Sequence, residues 1–251
     1  LNHADKALQS EYSFIVSDLE NLQKLYRIML NERNKRGALE FDSTETAIVF
    51  NDQGKIDFIK PVFRNEAHRI IEECMLAANV CAAKFLLEDN IDGLFRNHEC
   101  PSEEKLENLR NFLAEFGLSL QGGSKPTPKD YRYLVAKISD RPESHLLQTV
   151  LLRSMQQAVY SEKNLGHFGL AYDAYTHFTS PIRRYPDLIV HRAIKSKLAK
   201  KPFQLKDIAK IAEHCSGTER KADEATRDVE SWLKCYFMQD KVGQIFEGTV
   251  A

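Results

Sequence analysis

The sequence has no long apolar run. Nothing in its 251 residues approaches the roughly 20 consecutive apolar residues that a membrane-spanning helix needs. It also has no charged-then-apolar leader segment, and it starts with Leu1 rather than with Met. These absences argue against a transmembrane helix and disfavour the secreted and membrane classes, so we expect no membrane partner. They also lead us to expect a piece cut from a longer chain.

Cysteine is scarce and scattered. The five cysteines lie at positions 74, 81, 100, 215 and 235, and no two of them form a Cys-x-x-Cys pair. An odd number without paired spacing is typical of buried thiols in a reducing compartment, and it argues against a disulfide framework or a structural zinc site. We therefore expect a cytoplasmic protein.

Several catalytic and nucleotide-binding motifs are missing. The sequence has no P-loop, no GxGxxG, no Ser-His-Asp context and no closely spaced aspartates of the D-x-D kind. His167, His177 and His191 could be read as a metal set, but their spacings of 10 and 14 residues match no compact motif such as HExxH. We predict no metal ligand in this chain, and a metal hydrolase that uses the three histidines is the weakest of the alternatives.

The residues that are present are those of an ordinary globular protein, with 43% hydrophobic and 28% charged residues and a net charge of −1. Apolar residues recur mainly at three- and four-residue steps, which predicts an α+β fold that is mostly helical. We predict helices at 14–36, 65–87, 103–116, 129–138, 143–160, 181–200 and 205–238. A short β-meander or hairpin at 39–58 is the only other regular structure that we predict before an alternating strand pattern at 242–250.

Chemistry concentrates between residues 167 and 192. Ser180 is a good N-cap and Pro181 suits the first helical position, so a helix is predicted to start here with free backbone N–H groups. Such a helix end attracts phosphate. Arg183 would lie in the first turn with Arg184 just after it, and a guanidinium can bind a phosphate with two parallel hydrogen bonds. Pro186 either kinks this helix or restarts it.

The same region is strongly basic. Residues 176–201 contain seven Lys or Arg and one acid, a local charge of +6 in a chain whose total is −1. Tyr175, Phe178 and Tyr185 supply flat ring faces on which single-stranded bases could stack. A basic stripe beside aromatic residues is typical of a nucleic-acid interface. The alternatives are a basic helix face that is only solvated and aromatic residues, such as Tyr172 and Phe178, that only fill the core.

A resemblance to a known family is carried by residues 166–170 (GHFGL) and 177–188 (HFTSPIRRYPDL). These strings resemble the most diagnostic stretch of the RNase II/RNase R family (the RNB family) of processive 3′-to-5′ exoribonucleases, and they are closer to the RNase R branch. Similar segments occur at 64–68, 71–75, 122–126, 147–149, 153–155 and 222–229, so the resemblance extends over residues 19–250.

The resemblance implies part of an RNB catalytic domain at residues 1–241 and the first strand of a truncated OB-type RNA-binding domain at 242–251. Family members hydrolyse single-stranded RNA from its 3′ end to nucleoside 5′-monophosphates, with Mg²⁺ held by a cluster of aspartates. Those aspartates belong to the N-terminal half of the domain, upstream of Leu1. We therefore expect that missing half and single-stranded RNA as partners, and we expect the chain alone to be inactive.

Individual site residues follow from the same resemblance. Arg183 matches the catalytic arginine that contacts the scissile phosphate, Phe41 matches the aromatic that stacks on the inner end of the bound RNA, and Glu72 matches a carboxylate near the RNA channel. Glu72 and Glu73 are adjacent on a helix, so at most one of them can enter a site. The remaining RNA-binding candidates rest on charge and aromatic character: Tyr175, Arg184, Tyr185, His191 and Arg192.

One departure from the family and one competing function remain. Thr226 stands where RNase II has a Glu before Arg-Asp-Val, so no role is transferred to that position. The alternative to an exoribonuclease is a non-catalytic RNA-binding module from a truncated paralogue. A reading frame that continues upstream into an Asp-rich motif would favour the enzyme.

Overall fold

Helices dominate the structure, a computed structural model that describes residues 6–41 and 45–247. The helices and strands follow one another along the chain as α1 (Lys6–Glu11), α2 (Ser13–Arg36), β1 (Glu45–Phe50), β2 (Ile56–Val62), α3 (Glu66–Leu87), β3 (Phe95–Asn97), α4 (Glu103–Glu115), α5 (Pro128–Ile138), α6 (Ser144–Ser154), β4 (Val159–Ser161), α7 (Tyr185–Leu198) and α8 (Ile208–Met238). A short 3₁₀ turn, Gln239–Lys241, follows α8. The predicted α+β, mostly helical fold is confirmed.

Local sequence signals set the ends of the first long helices. α2 ends at Gly37, whose φ of 91° lies in the left-handed region that glycine adopts without a steric cost. α3 begins after Asn65, whose side chain accepts the His68 N–H, while the His68 ring accepts the Asn65 N–H. This reciprocal capping satisfies N–H groups that a helix start otherwise leaves free.

The strands form two small antiparallel sheets. β1 pairs with β2, with Ile48 opposite Ile59, which confirms the predicted hairpin. β3 pairs with β4, with Arg96 opposite Tyr160. The expectation that β-structure is confined to the early hairpin was therefore wrong, and the helix predicted to reach residue 160 ends at Ser154. Strands of 3 residues are too short to show an alternating pattern.

The predicted start of α7 was also wrong. Residues 181–183 form a turn, and the helix begins at Tyr185 with Arg184 at the N-cap position. Pro186 lies in the first turn of the helix, where its missing N–H costs no hydrogen bond. Pro186 therefore neither kinks nor restarts a helix that began at Pro181, because α7 first forms at Tyr185. Arg183 lies in the turn before the helix rather than within its first turn.

The structure describes only part of the C-terminal region for which a helix and a strand are predicted. α8 runs close to the range predicted for the last helix, whereas residues 242–247 have no regular structure. Residues 248–251 lie outside the described residues, so the OB-type strand and the boundary at 241/242 stay predictions. None of the helices that the structure describes is long and apolar enough to cross a membrane.

Separate apolar clusters hold the helices together. The largest lies between α4, α5 and α6, and its buried members include Leu106, Leu113, Leu134, Leu147 and Leu151. α7 packs against α3 through Ala82, Leu86, Val190 and Ala193. Burying one leucine or valine side chain stabilises the fold by roughly 1.5–3 kcal/mol. The packing of α7 on α3 brings the segment before α7 next to Glu72 of α3.

Candidate nucleic-acid interface

The segment from Asn164 to Arg184 has no helix and no named strand, and backbone hydrogen bonds fix it to β3 and to the end of α2. The Arg96 N–H donates to the Tyr175 carbonyl at 2.9 Å, and the Phe168 N–H donates to the His98 carbonyl at 2.7 Å. The Leu39 N–H donates to the Gly169 carbonyl at 2.8 Å. The segment that carries the family motif is therefore held in place by main-chain contacts.

Partly buried histidines lie beneath this segment. His98 accepts the Gly169 N–H on Nδ1 at 2.9 Å and donates from Nε2 to the Gln156 carbonyl at 2.8 Å, which fixes one neutral tautomer. Burial lowers the pKa of His98. Burial, and after it the nearby charge of His98, lowers the pKa of His167 to about 3. Both rings are therefore neutral at pH 7 and act as packing and hydrogen-bonding groups.

The contacts of His177 and His191 argue against the alternative in which three histidines bind a metal ion. The Nδ1 atom of His177 lies 2.7 Å from the hydroxyl of Tyr160. His191 donates from Nε2 to the Phe178 carbonyl at 2.9 Å, and its ring is parallel to the Phe178 ring with 4.2 Å between centroids. Across residues 6–41 and 45–247, no group of three or more His, Cys, Asp or Glu side chains could hold a metal ion.

The two arginines of the motif lie in different environments. The N–H groups of Arg183 and Arg184 both donate to the Ser180 carbonyl, at 3.3 and 3.0 Å, which closes a tight turn. The Arg184 guanidinium pairs with the fully buried Asp187 at 2.8 Å. The Arg183 side chain is exposed, and no hydrogen bond or ion pair holds it among the residues that the structure describes. Arg183 is thus available to an outside anion.

A cleft of about 220 Å³ lies beside this turn. It brings together three of the predicted residues, Glu72, Tyr175 and Arg184. Thr179 also lines this cleft, and within the described part of the chain its hydroxyl and the Nε atom of Arg184 are buried without a hydrogen-bond partner. Unpaired polar atoms at a cleft wall are suited to a polar ligand.

Glu72 also lines a second cleft, of about 540 Å³, together with Phe41. Arg33, Arg64 and Arg69 contribute to its wall. The structure therefore places Phe41 and Glu72 in the wall of the same cleft. The sequence reasoning missed the three arginines, although Arg64 stands at the start of one of the segments that resemble the family.

The carboxylates of Glu72 and Glu73 have different roles. Glu73 is buried and lies 2.6 Å from the Arg33 guanidinium, which connects α3 to α2. Glu72 is partly exposed and lies 3.3 Å from the same guanidinium and 3.9 Å from that of Arg64. As predicted, only one of these two neighbours reaches a cleft.

The aromatic candidates differ in exposure. Tyr175 is only 5% exposed, its hydroxyl accepts a hydrogen bond from Asn79 at 2.9 Å, and its ring lies parallel to Tyr172. Tyr185 is 46% exposed and presents an open ring. Tyr185, His191 and Arg192 line neither of the two clefts. The structure therefore groups Phe41, Glu72, Tyr175 and Arg184 and leaves the other candidates around the α7 surface.

The basic region is less uniform than its composition indicates. Lys197 donates to the Phe85 carbonyl at 2.6 Å and pairs with Glu88 and Asp89. Its charge is therefore paired with acidic residues at the C-terminal end of α3. Residues of the basic set that stay exposed are Arg183, Arg192, Lys195, Lys200 and Lys201.

A larger cleft, of about 890 Å³, contains none of the predicted RNA-binding residues. Its wall includes Arg36, whose guanidinium lies 3.8 Å from the centre of the Tyr172 ring and donates to the Leu170 carbonyl at 3.1 Å. These contacts fix the end of α2 to the motif segment.

Comparison with known proteins agrees with the resemblance. The RNB domain matches residues 1–200. Ribonuclease R of Vibrio cholerae is 49% identical and that of Escherichia coli 46% identical, each over 98% of this chain, and the chain spans 32% of each relative. Among solved structures, Mycoplasma genitalium RNase R in complex with ribose methylated single-stranded RNA has a TM-score of 0.87 and 26% identity, over 96% of this chain and 40% of that one. The chain belongs to the RNB domain family.

Proposed function

We propose that this chain is part of a processive 3′-to-5′ exoribonuclease that hydrolyses single-stranded RNA to nucleoside 5′-monophosphates. Because the chain spans about a third of the ribonuclease R relatives, that activity would belong to a longer protein. The observation that carries the proposal is the exposed Arg183 guanidinium on a tightly closed turn, next to the cleft of Glu72 and Arg184.

Arg183 is the proposed catalytic residue of this chain. Hydrolysis of a phosphodiester places additional negative charge on the phosphate oxygens in the transition state. A guanidinium that binds these oxygens more strongly in the transition state than in the bound substrate raises kcat. An arginine suits this task because its planar fork matches two phosphate oxygens and it stays protonated at any working pH.

The two clefts would accommodate the RNA strand. Phe41 would stack on a base at the inner end of the bound RNA, and Glu72 would line the channel between the clefts. Arg184 would contact the backbone near the reacting phosphate. Such contacts are typical of proteins that bind single strands through stacking and positive charge.

The remaining candidates have supporting or peripheral roles in this proposal. Tyr175 is buried, so only the edge of its ring that lines the cleft could touch RNA, and its main contribution is to hold the cleft floor. His191 would act through the Phe178 ring that it stacks on. Tyr185 and Arg192 are exposed on α7 and would contact the strand as it approaches the site.

In this proposal, the described residues of this chain do not bind the metal ion. RNB-family ribonucleases are metal-dependent hydrolases, but the described residues of this chain contain no group that fits a metal ion. We assign no step of the reaction to a metal through these residues. The proposed Mg²⁺ would be held by aspartates outside this chain, in the N-terminal half of the same domain. A cytoplasmic location stays a prediction, and the five free cysteines are compatible with it.

A degradation assay tests the proposal. This chain and the full-length protein that contains it are incubated separately with Mg²⁺ and 5′-labelled single-stranded RNA. We expect a ladder that ends in very short products from the full-length protein only. RNA binding without any ladder from the full-length protein would instead support the non-catalytic RNA-binding module. A ladder from this chain alone would contradict the placement of the metal site.

A further inference from the structure

Asp187 closes the turn that carries Arg183. It lies in the first turn of α7 and is 0% exposed. Its Oδ1 atom accepts two hydrogen bonds, from the Ser180 N–H at 2.7 Å and from the Arg184 guanidinium at 2.8 Å. Because Ser180 and Arg184 are the two ends of the turn, one buried carboxylate oxygen holds both ends.

A second anchor lies two residues before Ser180. The Phe178 N–H donates to the Asn79 side chain at 2.9 Å, and the Phe178 carbonyl accepts from His191 at 2.9 Å. The backbone is therefore fixed at Phe178 by α3 and α7 and again at Ser180 by Asp187. Ile182 and Arg183 are the members of the turn whose side chains are left exposed, and Arg183 is the one of the two that carries a charge.

Stability alone does not account for this buried pair. Within the described residues, the Oδ2 atom of Asp187 and the Nε atom of Arg184 are buried without a hydrogen-bond partner. A buried charged group that is only partly satisfied reduces stability, and apolar residues can often replace a buried ion pair without loss. The arrangement is better explained by a requirement for one fixed geometry of the turn.

We infer that Asp187 is a positioning residue for Arg183: it holds the Ser180–Arg184 turn so that the Arg183 guanidinium meets the reacting phosphate. This inference rests on the proposed function of Arg183. A displacement of about 1 Å in a catalytic group can reduce the rate about 100-fold, so a loosened turn lowers kcat while substrate binding is largely retained.

The test is a double-mutant cycle in the full-length protein, with kcat and KM measured for single-stranded RNA. We expect Asp187→Ala to lower kcat about tenfold or more and to change KM by less than about threefold. In the Arg183→Ala background the same substitution is expected to cause no further loss, because residues that act through one another are not additive. Asp187→Asn keeps an oxygen that can accept from Ser180 and should recover most of the rate.

The outcomes separate this inference from the proposed function. If Arg183→Ala lowers kcat but Asp187→Ala causes the same loss in both backgrounds, the positioning role is overturned and the proposed function stands. If Arg183→Ala leaves kcat unchanged, the catalytic role proposed for Arg183 fails, whereas a full-length protein that hydrolyses no RNA before any substitution would contradict the proposed function itself. The exposed Asp18 on α2 provides the matched control, and Asp18→Ala should leave kcat unchanged.

A measurement on the unsubstituted protein covers the case in which Asp187→Ala does not fold. Hydrogen exchange resolved to single amides should show that the Ser180 N–H is protected, because its acceptor is fully buried. Exchange of the Ser180 amide at the rate of an exposed turn amide would overturn the inference.

Discussion

The Nδ1 atom of His177 and the hydroxyl of Tyr160 lie 2.7 Å apart, beneath the segment that carries the two arginines. Burial, and after it the charge of Arg184, lowers the pKa of His177 to about 3. Burial also raises the pKa of Tyr160. Both side chains are therefore neutral near pH 7, so this pair adds no charge beneath the two arginines.

The depressed histidine pKa predicts acid sensitivity. Between the ordinary pKa of about 6.5 and the folded value of about 3, the unfolded chain binds a proton that the folded His177 does not. The free energy of unfolding should therefore fall as the pH falls through that range, by at most about 1.4 kcal/mol per pH unit for each such histidine. Urea unfolding at pH 7 and pH 4.5 measures this.

The matched comparison uses His177→Gln and the exposed His145→Gln. The loss of stability between the two pH values should be smaller in His177→Gln than in the unsubstituted chain, and unchanged in His145→Gln. An equal pH dependence in all three proteins would contradict the buried neutral state of His177.

The Arg33–Glu73 pair predicts a large loss of stability. Both side chains are buried, and Arg33→Ala would leave the Glu73 carboxylate without its partner. Breaking a buried pair in this way costs about 3–5 kcal/mol. The exposed Lys35–Glu32 pair on the same helix provides the control, since Lys35→Ala should change the free energy of unfolding by less than about 1 kcal/mol. Urea unfolding measures both changes. Similar losses of unfolding free energy in the two variants would show that the Arg33–Glu73 pair does not stabilise the contact between α2 and α3.

The proposed stacking role of Phe41 predicts weaker RNA binding. Loss of one base–aromatic stack costs about 1–3 kcal/mol, so Phe41→Ala should raise the Kd for single-stranded RNA about tenfold. Fluorescence anisotropy with the full-length protein, in buffer without divalent metal, separates binding from hydrolysis. Phe58→Ala, on the exposed β-hairpin, should leave the Kd unchanged. An unchanged Kd for Phe41→Ala would remove Phe41 from the proposed channel.

The two kinds of basic residue on α7 predict different salt effects. Arg192 is exposed, and if it contacts a phosphate, Arg192→Ala should reduce the slope of log K against log salt concentration by about 0.7. Lys197 is held by Glu88 and Asp89, so Lys197→Ala should leave that slope unchanged. A change of slope for Lys197→Ala and none for Arg192→Ala would reverse the assignment of the two charges.

Sequence periodicity predicted most of the helices because their apolar faces recur over many turns. It missed β3 and β4, since a strand of 3 residues carries too few side chains to show alternation. The capping signal of Ser180 and Pro181 predicted that α7 starts at Pro181, whereas the helix begins at Tyr185 with Pro186 in its first turn.

The site was predictable only where a local motif marks it. Residues 177–188 marked Arg183 and Arg184 as candidates, but the contact between Arg33 and Glu73 joins residues 40 positions apart and leaves no local pattern. Tyr175 has an aromatic side chain of the kind that stacks on bases, but in the fold it contacts Asn79 and Tyr172 and is buried. Burial and long-range pairing depend on the assembled fold.

The most direct test of the central claim is the rate of RNA hydrolysis by the full-length protein with Arg183→Ala. If Arg183 stabilises the transition state, kcat should fall about 100-fold or more, while KM changes little. The matched control is Arg220→Ala, at an exposed position on α8, which should keep the full rate. A full rate for Arg183→Ala, with the same ladder of products, would contradict the claim that this chain supplies a catalytic arginine.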